Sequence, residues 1–362
     1  MKFTIRWYGN NDPITLPFIK QIPGCSGIMG MHDEFAAGEV WDKDFFKKMV
    51  DKVHNVGLEY EVIESINVHE DIKLGLPTRD KYIENFKQSI RNVAECGVKV
   101  VIYNFMPVFD WVKTDLAYEL PDGSNTLSYD EKDLIGVSPS DFAQKILSGA
   151  GDLTLPGWEP DRLSKLNDVI EQYRNVTEEQ LFANYKYFLE AVIPTCEEVG
   201  IRLAVHPDDP AWPIFGIPRI THNFEQLSRI VNMVDSPSNT LCLCTGSIGS
   251  DPKNNVPEIV EYFVKRNRIS ALHVRNIKFE GEHKFYESAH STDAGSLNIY
   301  SIMKVLVDNN FDGYIRPDHG RMIWGEKGRA GYGLYDRALG LVYLDGLREA
   351  LYKTKDERLK VN

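Results

Sequence analysis

This 362-residue chain has no basic run, no even set of cysteines, and no apolar stretch near the roughly 18 to 20 residues that a membrane span needs. A formal charge of −12 without a basic patch excludes the electrostatic footprint of a nucleic-acid binder. Five cysteines, at 25, 96, 196, 242 and 244, fit neither a disulfide framework nor a zinc-finger spacing. The opening MKFTIRWYGN also lacks a secretory apolar core, so the expectation is a protein of the reducing cytoplasm with no membrane association. No GxGxxG follows the first apolar segment and no Walker loop occurs anywhere, which argues against an open nucleotide-binding sheet. Short-period repeats and low-complexity tracts are absent too. With 43% hydrophobic and 26% charged residues, what remains is a globular protein with ample core, either one large barrel or two domains.

What is present is an alternation. Short apolar, β-branched segments fall at 3–8, 25–29, 58–64, 98–103, 201–206, 240–244, 269–275 and 313–317. Most are separated by amphipathic helical patterns, such as DKDFFKKMVDKVHNVG, TRDKYIENFKQSIRNVAECG and TEEQLFANYKYFLEAVIPTCEEVG, each closing on a Gly placed to cap a helix. Eight strands alternating with helices predict an α/β fold with a parallel sheet closed into a (β/α)₈ TIM barrel, one domain over 1–362. The alternation breaks once, between the fourth strand and the helix near 177. Residues 105–176 read as a helical insertion over the active-site end of the barrel, with DEKDLIGVSPSDFAQKIL and DRLSKLNDVIEQYRN as its helical pieces.

Four of the strand patterns stop at residue types that bind metal: IRLAVHPDD at His206, TLCLCTG at Cys244, SALHVRN at His273 and GYIRPDHGR at Asp318. Catalytic groups of a TIM barrel come from the C-terminal ends of several strands, so a common placement there is meaningful where any one residue is not. Alone, each histidine would more often be a satisfied rim residue and the cysteine a small buried hydrophobe. Period-two alternation puts Ala204 with His206, Cys242 with Cys244, Ala271 with His273, and Arg316 with Asp318 on shared faces. Imidazole, carboxylate and thiolate together suit a divalent transition metal and disfavour magnesium or calcium. The loop after Asp318, HGRMIWGEKGRAGYGLYDRALG, carries six glycines and reads equally as a segment that closes over substrate or as a plain connection. His32 and His69, in the acidic loops HDE and HED, are expected to be solvated loop residues and not a second metal site.

Further stretches carry a resemblance over nearly the whole chain: RWYG, AGEVW, VIES with NVHEDIKLG, YNFMPVFDW, LAVHPDDP, LCTGSIG, HVRNIK, YIRPDHGRMIWGE and GYGLYDRALG. In these motifs the sequence resembles the mannonate dehydratases of bacterial hexuronate catabolism. EFAAG lacks a proline expected in many relatives, and Lys113 stands where arginine is common. The resemblance implies a xylose-isomerase-like barrel, a divalent ion described as manganese or iron, Mn2+ or Fe2+, and ligands at His206, Cys244, His273 and Asp318. On softness grounds the thiolate favours iron, zinc or cobalt over manganese.

The implied reaction eliminates water from D-mannonate to give 2-keto-3-deoxy-D-gluconate. A proton beside a carboxylate is hard to remove, and a bound cation offsets the charge that develops. A base for the C2 proton and an acid for the C3 hydroxyl are then required, and His319 with Tyr332 are the candidates, in either direction. Arg6, Arg275 with its neighbour Asn276, and Arg316 are candidate substrate contacts, because guanidinium holds a carboxylate in fixed orientation. Arg316 reads equally as a buried structural partner of an acid such as Glu64. A homo-oligomer, a dimer, is expected. The competing functions are a metal-dependent sugar isomerase or epimerase on the same barrel, and a non-catalytic sugar- or metal-binding protein.

Overall fold

In the computed structural model, residues 1–150 and 166–361 are described. Eight parallel strands close into a barrel in the order β1-β12-β9-β8-β7-β4-β3-β2. These are β1 (Lys2–Trp7), β2 (Cys25–Gly30), β3 (Glu59–Glu64), β4 (Val100–Tyr103), β7 (Arg202–Val205), β8 (Asn239–Cys244), β9 (Ile269–Val274) and β12 (Tyr314–Pro317). Each coincides with one of the eight apolar segments to within two residues or so. Their sides face the surrounding helices, so the strands are buried over most of their length, as the near-continuous apolar runs require.

The helices begin and end where local chemistry dictates. Asp42 caps the helix Lys43–His54 by accepting from the Phe45 amide, and Thr177 with Gln180 forms a capping box at the start of Glu178–Val199. Gly57, Gly97 and Gly200, each closing a helical pattern, all take positive φ. Inside the barrel lies a compact layer of Met29, Val62, Val100, Ile102, Ala204, Cys242 and Ala271. Ala204, Cys242 and Ala271 thus mark the inward face, and the residue two further along each of their strands points into the barrel mouth. The small alanine side chains lie beneath His206 and His273.

The stretch 105–176 contains helices, and it contains strands that the sequence pattern did not suggest. β5 (Asp115–Glu119) and β6 (Asn125–Asp130) join β10 (Ile277–Gly281) and β11 (Lys284–Glu287) in a four-stranded sheet of order β10-β11-β6-β5. DEKDLIGVSPSDFAQKIL divides into a short 3-10 turn, Glu131–Leu134, and the helix Pro139–Ala150. Of DRLSKLNDVIEQYRN, the helix Leu166–Tyr173 is described, and 161–165 lie outside the described residues. Among the described residues no helix is long and apolar enough to cross a membrane.

Candidate active site

Three of the strand-end residues meet at the barrel mouth. Ligand atoms of His206, Cys244 and His273 all lie within 4.8 Å of one another, and the last two are buried. Register explains the meeting, since Cys244 pairs with His273 across β8 and β9, and Arg316 pairs with His273 across β9 and β12. His206 follows β7 directly, and its amide extends the ladder by donating to Tyr103 at 2.7 Å. Its Nδ1 contacts the Pro207 carbonyl at 2.7 Å, which leaves Nε2 for a ligand. Asp318 stands beside this group: Cys244 Sγ donates to its Oδ2 at 3.3 Å, and His273 Nδ1 is 3.8 Å from Oδ1.

These residues fit a transition-metal ion. Two imidazoles, a thiol and a carboxylate form a borderline-soft donor set. Among the described residues, buried Asp318 Oδ1 accepts no hydrogen bond, although Arg316 Nη2 is close enough, at 2.8 Å, for charge pairing. Burial would raise the Asp318 carboxyl, but His319, Arg316, Arg275 and His273 hold it well below the usual carboxylate range. It is therefore an anion at neutral pH, as a ligand must be.

The other half of the site is a hydrogen-bonded pair. His319 Nε2 lies 2.8 Å from Tyr332 Oη, and the two rings meet edge to face with centroids 4.7 Å apart. Tyr332 returns to the barrel mouth because the glycine-rich loop doubles back. The Gly320 amide donates to Gly331 O at 2.8 Å, and Met322 exchanges backbone hydrogen bonds of 2.8 and 3.2 Å with Asn125. Gly331 has φ +76°, and a β-carbon there would stand 2.6 Å from Leu127, so this turn needs glycine. Burial first, then Tyr8 and Asp318, push the Tyr332 phenol well above its ordinary range.

The arginines divide. Arg6 and Arg316 both line the cavity, and both bind Glu64, Arg6 at 2.6 Å and Arg316 through two hydrogen bonds of 3.1 Å. Glu64 would be raised by burial, yet Arg316, Arg6 and His273 hold it well below the usual range. Arg275 lies behind the cavity wall, among Asp209 at 2.7 Å, Glu287 at 2.9 Å and Asp318 at 3.4 Å. Asn276 is away from the cavity as well. Its Nδ2 donates to Ser291 O at 2.7 Å and its Oδ1 accepts from the Ile277 and Leu297 amides at 2.9 and 3.0 Å, so the side chain shapes a loop.

Comparison with known proteins decides the family. The family described as D-mannonate dehydratase (UxuA) matches residues 1–358. The chain belongs to the D-mannonate dehydratase family. It is 57% identical over 356 residues to the mannonate dehydratase of Lachnoclostridium phytofermentans, covering 98% of this chain and 99% of that one. It is also 55% identical over 356 residues to the mannonate dehydratase of Thermotoga maritima, with the same coverage. Among solved structures, mannonate dehydratase from Streptococcus suis serotype 2 superposes with a TM-score of 0.90 at 46% identity, over 98% of this chain and 96% of that one. A xylose isomerase domain protein from Planctomyces limnophilus, 10% identical, matches with a TM-score of 0.56 over 97% and 98% of the two chains, and shares the fold.

In this family member, several residues around the site escaped the sequence reading. Glu287 contacts His319 Nδ1 with both oxygens, at 2.8 and 2.9 Å. Asp209 lines the cavity and accepts from Lys113 Nζ at 2.8 Å. Burial would raise Asp209, but Arg275 and Lys113 hold it well below the usual range. One available signal was the pattern of KFYE, which puts Phe285 and Glu287 on a single face, the buried one. His32 is a correction. It is not a solvated loop residue but is buried among Trp7, Trp41, Phe45, Phe46 and Tyr60, because its ring turns inward from the HDE loop while Asp33 and Glu34 stay exposed. His69 caps the helix Glu70–Leu74 and stacks on Tyr82 at 3.6 Å.

Proposed function

We infer that this enzyme, a carbon–oxygen hydro-lyase, dehydrates D-mannonate to 2-keto-3-deoxy-D-gluconate in hexuronate catabolism, with His319 and Tyr332 moving the protons. The observation that carries the residue roles is the 2.8 Å His319–Tyr332 contact beside the cluster of His206, Cys244 and His273. Those three residues and Asp318 would hold a divalent ion, iron or manganese. When bound, the ion supplies Lewis acidity that offsets the charge building on a carboxylate-bearing carbon as its proton leaves.

The proton roles follow from the environment. Tyr332, held above its ordinary range, keeps its proton at neutral pH and suits the donor role. His319 accepts the C2 proton; the C–H electron pair forms the C2–C3 double bond; the C3–O bond breaks, and the Tyr332 proton completes the departing water. The enol then tautomerises to the 2-keto acid. The direct His319–Tyr332 contact passes the collected proton back to the phenolate and resets both groups. Arg6, on the cavity wall, is the arginine placed to meet a sugar acid. Arg316, committed to Glu64 and Asp318, holds Asp318 in place, and Arg275 with Asn276 supports the wall from behind.

Residues 105–176 are read as an insertion over the active-site face of one barrel domain, a reading supported by Asp110 and Trp111 at the cavity. Five unpaired cysteines support the reducing cytoplasm. Exposed Trp324, Tyr335, Leu339 and Val342 support an interface in a homodimer, which sedimentation checks.

The deciding experiment is turnover of D-mannonate after chelation and re-addition of single metals. Keto acid should form, disappear on chelation, and return with iron or manganese. An epimerised sugar acid as product would favour the isomerase or epimerase reading, and bound metal without turnover the binding-protein reading.

A further inference from the structure

His319 is gripped from the side opposite Tyr332. Its Nδ1 faces both oxygens of Glu287, at 2.8 and 2.9 Å, and lies 3.0 Å from Arg275 Nη1. Arginine only donates, and one of the two Nη1 hydrogens goes to Glu287 Oε1 at 2.9 Å, so the tautomer turns on the two carboxylate oxygens that face Nδ1 against the single remaining Nη1 hydrogen. A bare Nδ1 would set its lone pair against a buried carboxylate. An Nδ1–H gives that carboxylate a second donor, and the neutral ring then presents its lone pair on Nε2, toward the Tyr332 hydroxyl and the cavity.

Glu287 does not come from the barrel. It ends β11, where it pairs with Ile277 of β10, and its carbonyl accepts from Thr126 Oγ1 of β6 at 2.8 Å. The carboxylate is buried, and its charge is met by Arg275 at 2.9 Å and by Lys113 at 3.6 Å. Lys113 arrives from the same accessory sheet, two residues before β5. One small sheet thus delivers the carboxylate, pins its backbone and supplies a cation beside it.

We propose that Glu287 is a positioning residue that fixes the tautomer and ring orientation of His319, and that the accessory sheet is its mount. This rests on the reading that His319 accepts the C2 proton. A carboxylate there could instead serve only to balance Arg275 and Lys113, and the two roles rank variants in opposite order. Glu287→Gln keeps an acceptor oxygen for Nδ1–H but leaves the cluster one negative charge short. The double variant Glu287→Leu with Lys113→Met preserves the net charge but removes the acceptor.

The test compares these holoenzymes for kcat, KM for D-mannonate, bound metal, and the nitrogen-15 shifts of the His319 ring, with His319→Asn alongside. Positioning requires the double variant to lose kcat by roughly 10- to 100-fold with metal content and KM little changed, and Glu287→Gln to lose less. The wild-type ring should show a protonated Nδ1 and a bare Nε2. A double variant as active as wild type, or more active than Glu287→Gln, overturns the proposal. So does a wild-type ring protonated on Nε2, a measurement that stands even if the double variant does not fold. Near-normal turnover by His319→Asn would instead remove the base assignment itself.

Discussion

His206, Cys244 and His273 leave neighbouring strands of one barrel, whereas Glu287 reaches His319 from an accessory strand and Tyr332 reaches the cavity from a glycine-rich loop. The first group is placed by the register of a hydrogen-bonded ladder, in which Cys244 sits opposite His273 and little else needs to be specified. The second depends on contacts between segments far apart in sequence, such as Glu287 on His319 and Met322 on Asn125. A barrel can therefore gather side chains by strand alternation alone, but those carried on loops and added strands need additional structure to aim them.

The largest effects should come from the ladder. Cys244→Ser or His206→Ala should lose bound metal and dehydration together, with turnover falling by more than the roughly 10² to 10⁴-fold typical of a missing general acid or base. Metal content measured beside activity checks this. A His206→Ala protein that is metal-free and fully active would separate the two and remove the metal assignment.

The second half should behave differently. His319→Asn and Tyr332→Phe should each keep metal and lose roughly 10² to 10⁴-fold in turnover. If both variants turn over at close to the wild-type rate, the pair has no role in proton transfer. Loss of metal in either would instead show that the two halves are one coupled unit.

This division also explains what the sequence made legible. All eight barrel strands could be read because each is a short, mostly apolar segment in a regular alternation with amphipathic helices, a pattern that is local, and the strand ends then named His206, Cys244, His273 and Asp318. β5, β6, β10 and β11 could not. DLAYE, NTLSYD, IKFEG and KFYE are short and carry charge, and β11 finds its partner β6 across more than a hundred and fifty residues, as in Tyr286 opposite Ser128. Glu287 was one acid among many until that pairing buried it. Asn276 shows the converse: it neighbours a strand end, but its amide is consumed by backbone groups and it never reaches the cavity.

A smaller effect is expected where the accessory sheet touches the barrel. Lys113 is fully buried between Asp209 at 2.8 Å and Glu287 at 3.6 Å. Lys113→Met removes one partner from a buried ionic group, at a cost of about 3–5 kcal/mol. Because Arg275 still holds both acids, the active-site half should lose far less turnover than with His319→Asn. Denaturant melts and kcat on the same preparation read the two effects apart, and an unchanged melting midpoint would mean that Lys113 carries no weight in joining the sheet to the barrel.

The smallest effect sharpens the comparison within the histidines. His32, like His206 and His273, lies at the C-terminal end of a barrel strand, but aromatic rings and Tyr60 Oη at 2.7 Å surround it, where the other two meet each other and Cys244. Burial pushes its pKa down from 6.5 to about 3. The unfolded chain therefore takes up a proton below about pH 6.5 that the folded chain refuses until about pH 3. Stability held by neutral His32 is complete above pH 6.5 and falls by roughly 1 kcal/mol per pH unit below it. A non-titrating variant such as His32→Asn should be less stable at pH 7, through its lost packing, but should lack this slope. The measurement is the difference in unfolding free energy between wild type and variant from pH 7 down to pH 5, which cancels acid release of metal common to both. A difference that stays constant over that range would mean that His32 takes up its proton in the fold, and that a histidine at a strand end is open to solvent even without a metal to face.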